Sequence, residues 1–371
     1  MTEHEDIRAY WAARKGRSGG TAFDAHRRSS RRPAVPNARS GSPSSADREQ
    51  PPAESSDQSD QSAPSDPSGA SSPRRFEADV RVTVLVDPGY DLSASVGALR
   101  RGAGDPTFRR TPDGALWLGC RTPAGDPGTL RLRRATPETV DAEAWGPGAP
   151  WLVKTLPDLL GLGDTDQVRA EFAELVRGQG NRQLIDSLRR NAGLRVIRSG
   201  RVWDSMVPAV LEQRVTVQEA HRAYQILVRR YGVPAPGAPA DVRLHVSPAP
   251  REWAMIPSWE WIRAGVDGKR SRAVLGAARV AARLEETVGM ERDEAARRIR
   301  TVPGIGVWTA AEVMHRAHGD ADAVSVGDLH LPRIVCGALG DPAGHWDDDR
   351  MLELLEPYRG HRYRVSALLY R

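Results

Sequence analysis

Cysteine and lysine are scarce in this chain of 371 residues. Two cysteines, Cys120 and Cys336, exclude a disulfide framework, a four-cysteine zinc site and an iron–sulfur cluster held by four thiolates. The lysines are Lys15, Lys154 and Lys269, so nearly all positive charge comes from arginine. No apolar run approaches the ~18 residues of a membrane span, and the N-terminus lacks the apolar core of a signal peptide. We therefore expect no membrane association and a cytoplasmic location.

The positive charge that is present exceeds the negative charge by five, and the sequence pI is about 9.5. A net positive charge favours polyanionic binding partners, nucleic acids above all, but it does not indicate a particular fold.

Residues 1–75 differ in composition from the rest of the chain. Between Arg39 and Pro73, serine, proline, aspartate and glycine dominate, and almost no side chain can contribute to a core. Burial cannot offset the entropy of ordering such a segment, so we predict a disordered low-complexity tail. A short helix is predicted at Asp6–Arg14.

Residues 76–165 are predicted to form a small α+β domain with an antiparallel sheet. Valines alternate with polar residues from Val80 to Val86, which indicates a strand with one buried face. Further strands are predicted at Thr107–Arg110, Ala115–Cys120, Thr129–Arg133 and Thr139–Ala144, and a helix at Trp151–Leu160.

Residues 166–371 show the helical period throughout and predict an all-helical domain of roughly 200 residues, large enough for its own core. Thr216 and Glu219 form a capping box that opens one helix. Further helices are predicted at 268–286, 291–301, 307–317, 329–338, 349–356 and 362–370. No strand pattern interrupts them. The fold class is thus α+β, with a tail, a small sheet domain and a helical domain.

The segment that carries chemistry begins where one predicted helix ends and the next begins, at Val302-Pro303-Gly304-Ile305-Gly306. Pro303 stops the first helix, and the two glycines allow a tight hairpin that a phosphate can approach closely. The next helix adds free N–H groups and a positive dipole end. The alternative is an ordinary helical corner. We predict a DNA backbone grip formed by four residues: Val302, Gly304, Gly306 and Thr309.

Asp328 lies downstream of the hairpin and immediately precedes the helix predicted at 329–338. Taken alone it is typical of a helix N-cap, and its position after a phosphate-binding hairpin favours a role in catalysis.

The hairpin, the Gly-containing loop and Asp328 together resemble the helix-hairpin-helix DNA glycosylases. Within that superfamily, the sequence is similar to the bacterial 3-methyladenine DNA glycosylase II family over roughly residues 76–371. Leu211–Val217 and Ile256–Trp259 precede the hairpin, and Pro357–Arg359 follows Asp328, which is the order of parts in that family. The resemblance implies a monomer that binds double-stranded DNA with damaged bases and excises alkylated purines. A damaged base flips into a pocket, and Asp328 stabilises the oxocarbenium-like sugar. The chemistry needs no cofactor, and a monovalent cation at the hairpin is an optional ligand.

The resemblance also implies roles for four further residues. Trp308 stands where relatives that also cut the strand carry a Schiff-base lysine, so we expect base removal without strand cleavage. Trp308 and Tyr370 are candidate walls of the lesion pocket; for Trp308 the alternative is core packing. Gln213 and Arg214 match the loop that enters the gap left by the flipped base. The alternative for Gln213 is a polar helix end, and arginine replaces an aliphatic wedge at Arg214.

Two other functions stay open from the sequence: a non-catalytic helix-hairpin-helix DNA-binding protein, and an oxidised-purine glycosylase/lyase. No metal site is predicted. The three carboxylates of Asp347–Asp349 are interpreted as helix caps, and Trp253, Trp259 and Trp261 as core residues.

Overall fold

The computed structural model describes residues 77–340, 344 and 346–371 of the chain. They lie within one compact unit, Ser71–Arg371. The predicted tail at 1–75, with its short helix at Asp6–Arg14, lies outside the described residues. The domain boundary between 165 and 166 stays a prediction.

An antiparallel sheet of five strands has the order β1–β5–β4–β3–β2. Its strands are β1 (Val80–Leu85), β2 (Phe108–Arg110), β3 (Leu116–Arg121), β4 (Pro127–Thr136) and β5 (Thr139–Trp145). The predicted turn joins β2 to β3, where Gly114 has a φ of +79° and its N–H donates to the Thr111 carbonyl. All five predicted strands are confirmed.

One face of the sheet is covered by three short helices: α1 (Leu92–Val96), α2 (Ala149–Lys154) and α3 (Leu156–Leu159). Leu132 and Val140 of the sheet and Leu152 of α2 are fully buried between these layers. The helix predicted at Trp151–Leu160 is therefore divided in two, at Thr155, and its leucines do face inward.

Thirteen further helices make up the rest of the described chain. They are α4 (Asp166–Gln179), α5 (Arg182–Arg190), α6 (Val202–Leu211), α7 (Val217–Tyr231), α8 (Pro250–Ala254), α9 (Ser258–Arg263), α10 (Gly268–Arg279), α11 (Ala281–Glu285), α12 (Arg292–Arg300), α13 (Val307–Val313), α14 (Leu331–Leu339), α15 (Asp348–Leu355) and α16 (Arg362–Leu369). Helix α6 is buried at every residue except Asp204, and its apolar side chains form the centre of the helical core.

Two helices differ from the sequence prediction. The helix predicted at 268–286 divides at Val280 into α10 and α11, and the helix predicted at 307–317 continues beyond α13 as a π-helical turn, Met314–His318. None of the helices in the described ranges is long and apolar enough to cross a membrane.

The expectation of an all-helical second half is wrong at one place. Val233–Pro234 (β6) pairs antiparallel with His245–Val246 (β7). At Gly119 of β3 an added Cβ would lie 2.0 Å from the His245 carbonyl oxygen, so only glycine permits this approach. The segment 233–246 covers Trp117 and Trp145 on the second face of the sheet. A two-residue strand held by tertiary packing has no period that a sequence could reveal.

The core prediction also fails for one tryptophan. Trp253 and Trp261 are buried, with ring centroids 5.6 Å apart, but Trp259 is 63% exposed. Short helix α9 turns Trp259 away from the face that holds Trp261.

Candidate active site

The hairpin joins α12 to α13 as the sequence predicts. The Ile305 N–H donates to the Val302 carbonyl over 3.0 Å, and Gly304 has a φ of +90°, which strains any other residue. A Cβ at Gly304 would also lie 2.9 Å from the Cβ of Ala273 in α10. Ile305 is buried and anchors the hairpin in the helical core.

Gly306 is the N-cap residue of α13, and no side chain caps this helix. The first N–H groups of α13 therefore keep their hydrogen-bonding capacity for an external acceptor. The side chains of Val302 and Thr309 are buried, so their predicted contact with DNA can involve only the main chain.

The loop between α6 and α7 lies directly against the hairpin. The Gln213 Nε2 donates to the Gly304 carbonyl over 3.0 Å and to the Thr309 Oγ1 over 2.8 Å. Arg214, the next residue, is exposed and has a φ of +57°, a conformation that non-glycine residues adopt only at a cost. The predicted gap-entering pair is thus split: one side chain is bound to the hairpin and one points to solvent.

Asp328 is half-buried and all its contacts are main-chain or indole N–H groups. Its Oδ1 accepts from the N–H groups of His330 (2.8 Å) and Leu331 (2.9 Å), which caps the start of α14. Its Oδ2 accepts from Trp308 Nε1 over 3.0 Å. The two sequence interpretations of Asp328 are therefore compatible, because one oxygen caps the helix while the other faces the hairpin side.

Trp308 is half-buried on α13, so it is not a plain core residue. Its indole N–H is used on Asp328, which places the ring beside the carboxylate.

Tyr370 follows the end of α16 and is 57% exposed. Partial burial raises the pKa of its phenol, and the negative charges of Asp328 and Glu312 raise it further. The phenol is therefore close to both carboxylates. Leu329, the neighbour of Asp328 in the chain, is 85% exposed, so this region presents an apolar side chain to solvent.

Glu312 was not identified from the sequence. It lies one helical turn after Trp308 on the same face of α13. Its carboxylate accepts from Arg316 Nη1 and Ser325 Oγ, each over 2.5 Å. Burial alone would raise its pKa, but the charge of Arg316 holds the pKa well below the usual range. The i,i+4 spacing of Glu312 and Arg316 is visible in the sequence, but the burial of the pair and the contact with Ser325 are not.

The sequence assigned Asp348 only to helix capping, but its side chain contacts the main chain next to Asp328. Asp347 caps α15, as predicted, by accepting from the Arg350 N–H. The Asp348 Oδ1 accepts from the Gly327 N–H over 3.0 Å, immediately before Asp328. Burial raises the pKa of Asp348, whereas the hydrogen bond from Gly327 opposes the rise. Asp348 thus supports the backbone that carries Asp328.

A basic rim, which we define as Arg214, Lys269 and Arg272, surrounds the hairpin. All three are exposed, and no ion pair involves them among the described residues. Their proximity follows from two contacts: Arg270 Nη1 at the start of α10 donates to the Leu211 carbonyl at the end of α6, and Ala273 of α10 touches Gly304.

Metal ligands are not assembled in this region. Among residues 77–340, 344 and 346–371, no group of three or more histidine, cysteine, aspartate or glutamate side chains could hold a metal ion. Cys120 and Cys336 are buried free thiols.

No protein-family model matches the chain. No curated protein sequence matches it either.

Solved structures do resemble it. A 3-methyladenine DNA glycosylase from Archaeoglobus fulgidus matches with a TM-score of 0.64 and 16% identity, over 78% of this chain and 97% of that chain. An 8-oxoguanine glycosylase/lyase from Clostridium acetobutylicum, in complex with double-stranded DNA, matches with a TM-score of 0.59 and 10% identity, over 79% and 97%. The chain therefore shares its fold with these two DNA glycosylases.

Proposed function

We propose that this chain is a monofunctional DNA N-glycosylase that excises alkylated purines of the 3-methyladenine type in base-excision repair. The observation that carries the proposal is the hydrogen bond between Trp308 Nε1 and Asp328 Oδ2. It joins an aromatic ring, which attracts a cationic base, to a carboxylate that stabilises positive charge on the sugar.

The reaction follows from the contacts of Asp328. Three N–H donors hold the carboxylate in place without a neutralising cation among its hydrogen-bond partners. When the C1′–N bond of a flipped nucleotide breaks, its electron pair leaves with the base and C1′ becomes electron-deficient. The fixed carboxylate stabilises that charge. Water then adds to C1′, and its proton passes to Asp328 or to solvent.

Alkylated purines suit this site because N3 or N7 alkylation makes the base cationic. Such a base leaves as a neutral molecule and needs no general acid. The exposed Leu329 and Tyr370 offer apolar and aromatic surface to a flipped ring.

Strand cleavage is not part of the proposal. Trp308 occupies the hairpin position at which a Schiff-base lysine is expected in lyases, and Lys269 lies on the exposed first turn of α10. Borohydride trapping tests this point, since a covalent enzyme–DNA adduct would identify an oxidised-purine glycosylase/lyase instead.

Duplex DNA is the proposed partner, and the hairpin with its basic rim is the proposed contact surface. Gln213 and Arg214 remain the proposed gap-entering residues; the exposed, strained Arg214 is free to enter, whereas Gln213 must first leave the hairpin. A monovalent cation at the hairpin also remains a proposal, with main-chain carbonyl oxygens as the ligand type that suits it. The protein is proposed to act as a monomer.

The decisive experiment measures bases released from methylated duplex DNA by chromatography. We expect Asp328→Asn to lower the single-turnover excision rate by about 100-fold or more, as the loss of a transition-state charge contact does. Asn keeps the helix cap, so folding and DNA affinity should be retained. Asp91→Asn, at the N-cap of α1, is the matched control and should excise normally.

Each alternative function has its own outcome. Full activity of Asp328→Asn contradicts the assigned role. DNA binding by the wild type without release of any base identifies a non-catalytic DNA-binding protein, and release of 8-oxoguanine in place of methylated purines identifies an oxidised-purine enzyme.

A further inference from the structure

We propose that a cavity between α4, α5 and α16 binds a small organic anion with an apolar body, independently of base excision. The cavity has a volume of about 330 Å³, within the range of small-molecule sites. None of the hairpin, gap-entering or Asp328-site residues named above lines the cavity. Helix α16 and Arg371 beyond it supply part of the lining: Tyr363, Arg364, Ala367, Leu368 and Arg371.

The body of the ligand is indicated by the walls. Most lining side chains are aliphatic or aromatic, among them Phe172 of α4, Ile185 and Leu188 of α5, and Leu368 of α16. A ligand that fills this space must place apolar surface against them.

The charge of the ligand is indicated by the polar side chains. No aspartate or glutamate lines the cavity. Six arginines do: Arg169, Arg177, Arg189, Arg195, Arg364 and Arg371. Carboxylates outside the lining pair with four of them: Asp87 with Arg169 and Arg195, Asp164 with Arg364, and Asp186 with Arg189. Arg177 has no ion pair among the described residues. The six arginines outnumber these carboxylates and Asp166, which also pairs with Arg169, so the lining carries an excess of positive charge that favours an anionic ligand.

Arg364 marks where the anionic head would bind. Its side chain is 10% exposed, and its Nη1 donates to Asp164 Oδ2 over 2.6 Å. Its Nε has no hydrogen-bond partner, and its guanidinium lies 5.4 Å from the centroid of the Phe172 ring. A buried guanidinium with an unused donor beside an aromatic wall is suited to a carboxylate or phosphate oxygen on an apolar body.

Two sources share this chemistry, an aliphatic carboxylate and a nucleoside monophosphate, and the test separates them. Calorimetric titration of the full chain uses octanoate against 1-octanol, and deoxyadenosine 5′-monophosphate against deoxyadenosine. We expect at least one of the two anions to bind with a Kd below about 1 mM and at least about tenfold more tightly than its uncharged match.

Variants place the binding in the cavity. Ala173→Phe fills the space and should abolish binding, and Arg177→Gln should weaken it by about threefold or more. Arg182→Gln, on α5 with its side chain 96% exposed and outside the lining, is the matched control and should bind normally. Arg177→Gln should leave base excision unchanged, so this test does not depend on the glycosylase activity.

The proposal is overturned if neither anion binds the wild-type chain below about 1 mM, or if Ala173→Phe binds as well as the wild type. Melting temperatures of each variant without ligand separate loss of binding from loss of folding.

Discussion

At the scale of single residues, Asp328 combines a structural contact with the catalytic role that we propose for it. One oxygen caps α14 and the other meets the Trp308 indole. The helix cap fixes the carboxylate, and the fixed carboxylate is what electrostatic stabilisation of a transition state requires.

Removal of the indole donor should slow excision while DNA binding is retained. Trp308→Phe keeps an aromatic ring but loses the N–H donor to Asp328. A hydrogen bond to a charged group contributes about 1.5–3 kcal/mol, so we expect the single-turnover rate to fall by about 10-fold or more. Trp259→Phe, at an exposed position on α9, is the control. An unchanged rate in Trp308→Phe would remove this contact from the mechanism.

Sequence reasoning reached Asp328, Trp308 and the hairpin because they lie within one short segment with distinctive glycine and proline spacing. It did not predict the hydrogen bond between Trp308 and Asp328, because the loop between these residues has no regular period. It also missed Glu312 and Asp348. Arg316 lies at the i+4 position from Glu312, which is an ordinary helical spacing and does not by itself indicate a functional site, whereas Asp348 meets Gly327 only through tertiary packing.

At the scale of elements, the loop before α14 is held from outside by α15. Gly327, at a φ of +90°, donates its N–H to Asp348 at the start of α15. Asp348 binds the main chain immediately before Asp328 and is therefore a positioning residue for Asp328.

Loss of this contact should lower kcat with little effect on KM. We expect Asp348→Ala to reduce kcat by about fivefold, which corresponds to one hydrogen bond of about 1 kcal/mol. Asp348→Asn keeps an acceptor oxygen and should recover most of the rate. Asp349→Ala, an exposed neighbour on the same helix, is the control. A rise in KM together with a lower melting temperature would instead show that Asp348 has only a structural role.

Element types were predictable because their periods are long and regular. The five sheet strands follow from alternation, and the helix opened by Thr216 and most helices after residue 268 follow from helical spacing. The failures are local: the break at Val280, the π-helical turn after α13, and the short β6–β7 ladder. Each depends on packing against a neighbouring element, which no local pattern encodes.

At the scale of the whole molecule, two buried histidines should make the fold acid-sensitive. Burial and the positive charge of nearby arginines together lower the pKa of His315 and of His318 to about 4. Between pH ~4 and the ordinary value of about 6.5, the unfolded chain binds these protons and the folded chain does not. The free energy of unfolding should therefore fall as the pH falls through this window.

His318→Gln should reduce that pH dependence. The His318 Nε2 lies 3.0 Å from Thr287 Oγ1, a contact that glutamine can replace. We expect the loss of unfolding free energy between pH 6.5 and pH 4 to shrink by up to about 3 kcal/mol relative to the wild type. Urea denaturation across this range measures the slope.

DNA affinity should also depend on charge spread over the molecular surface. Arg272 of the basic rim is exposed beside the hairpin and should contact a phosphate. Arg272→Gln should weaken binding to all duplex sequences alike and reduce the slope of log K against log salt concentration by about 1. Arg133→Gln, on the sheet, should leave the slope unchanged. A slope unchanged in both variants would exclude the rim from the DNA contact.

The contact of Gln213 with the hairpin has a consequence for how damage is found. Both N–H donors of its amide are engaged, one on Gly304 and one on Thr309. If Gln213 enters the duplex with its nitrogen, both bonds must break, which costs about 1–3 kcal/mol before any new contact forms. For the proposed glycosylase, this cost means that Gln213 stays on the hairpin while the protein moves along intact DNA. A weakly stacked base lowers the cost of entry, so lesions would be selected before a base reaches the pocket.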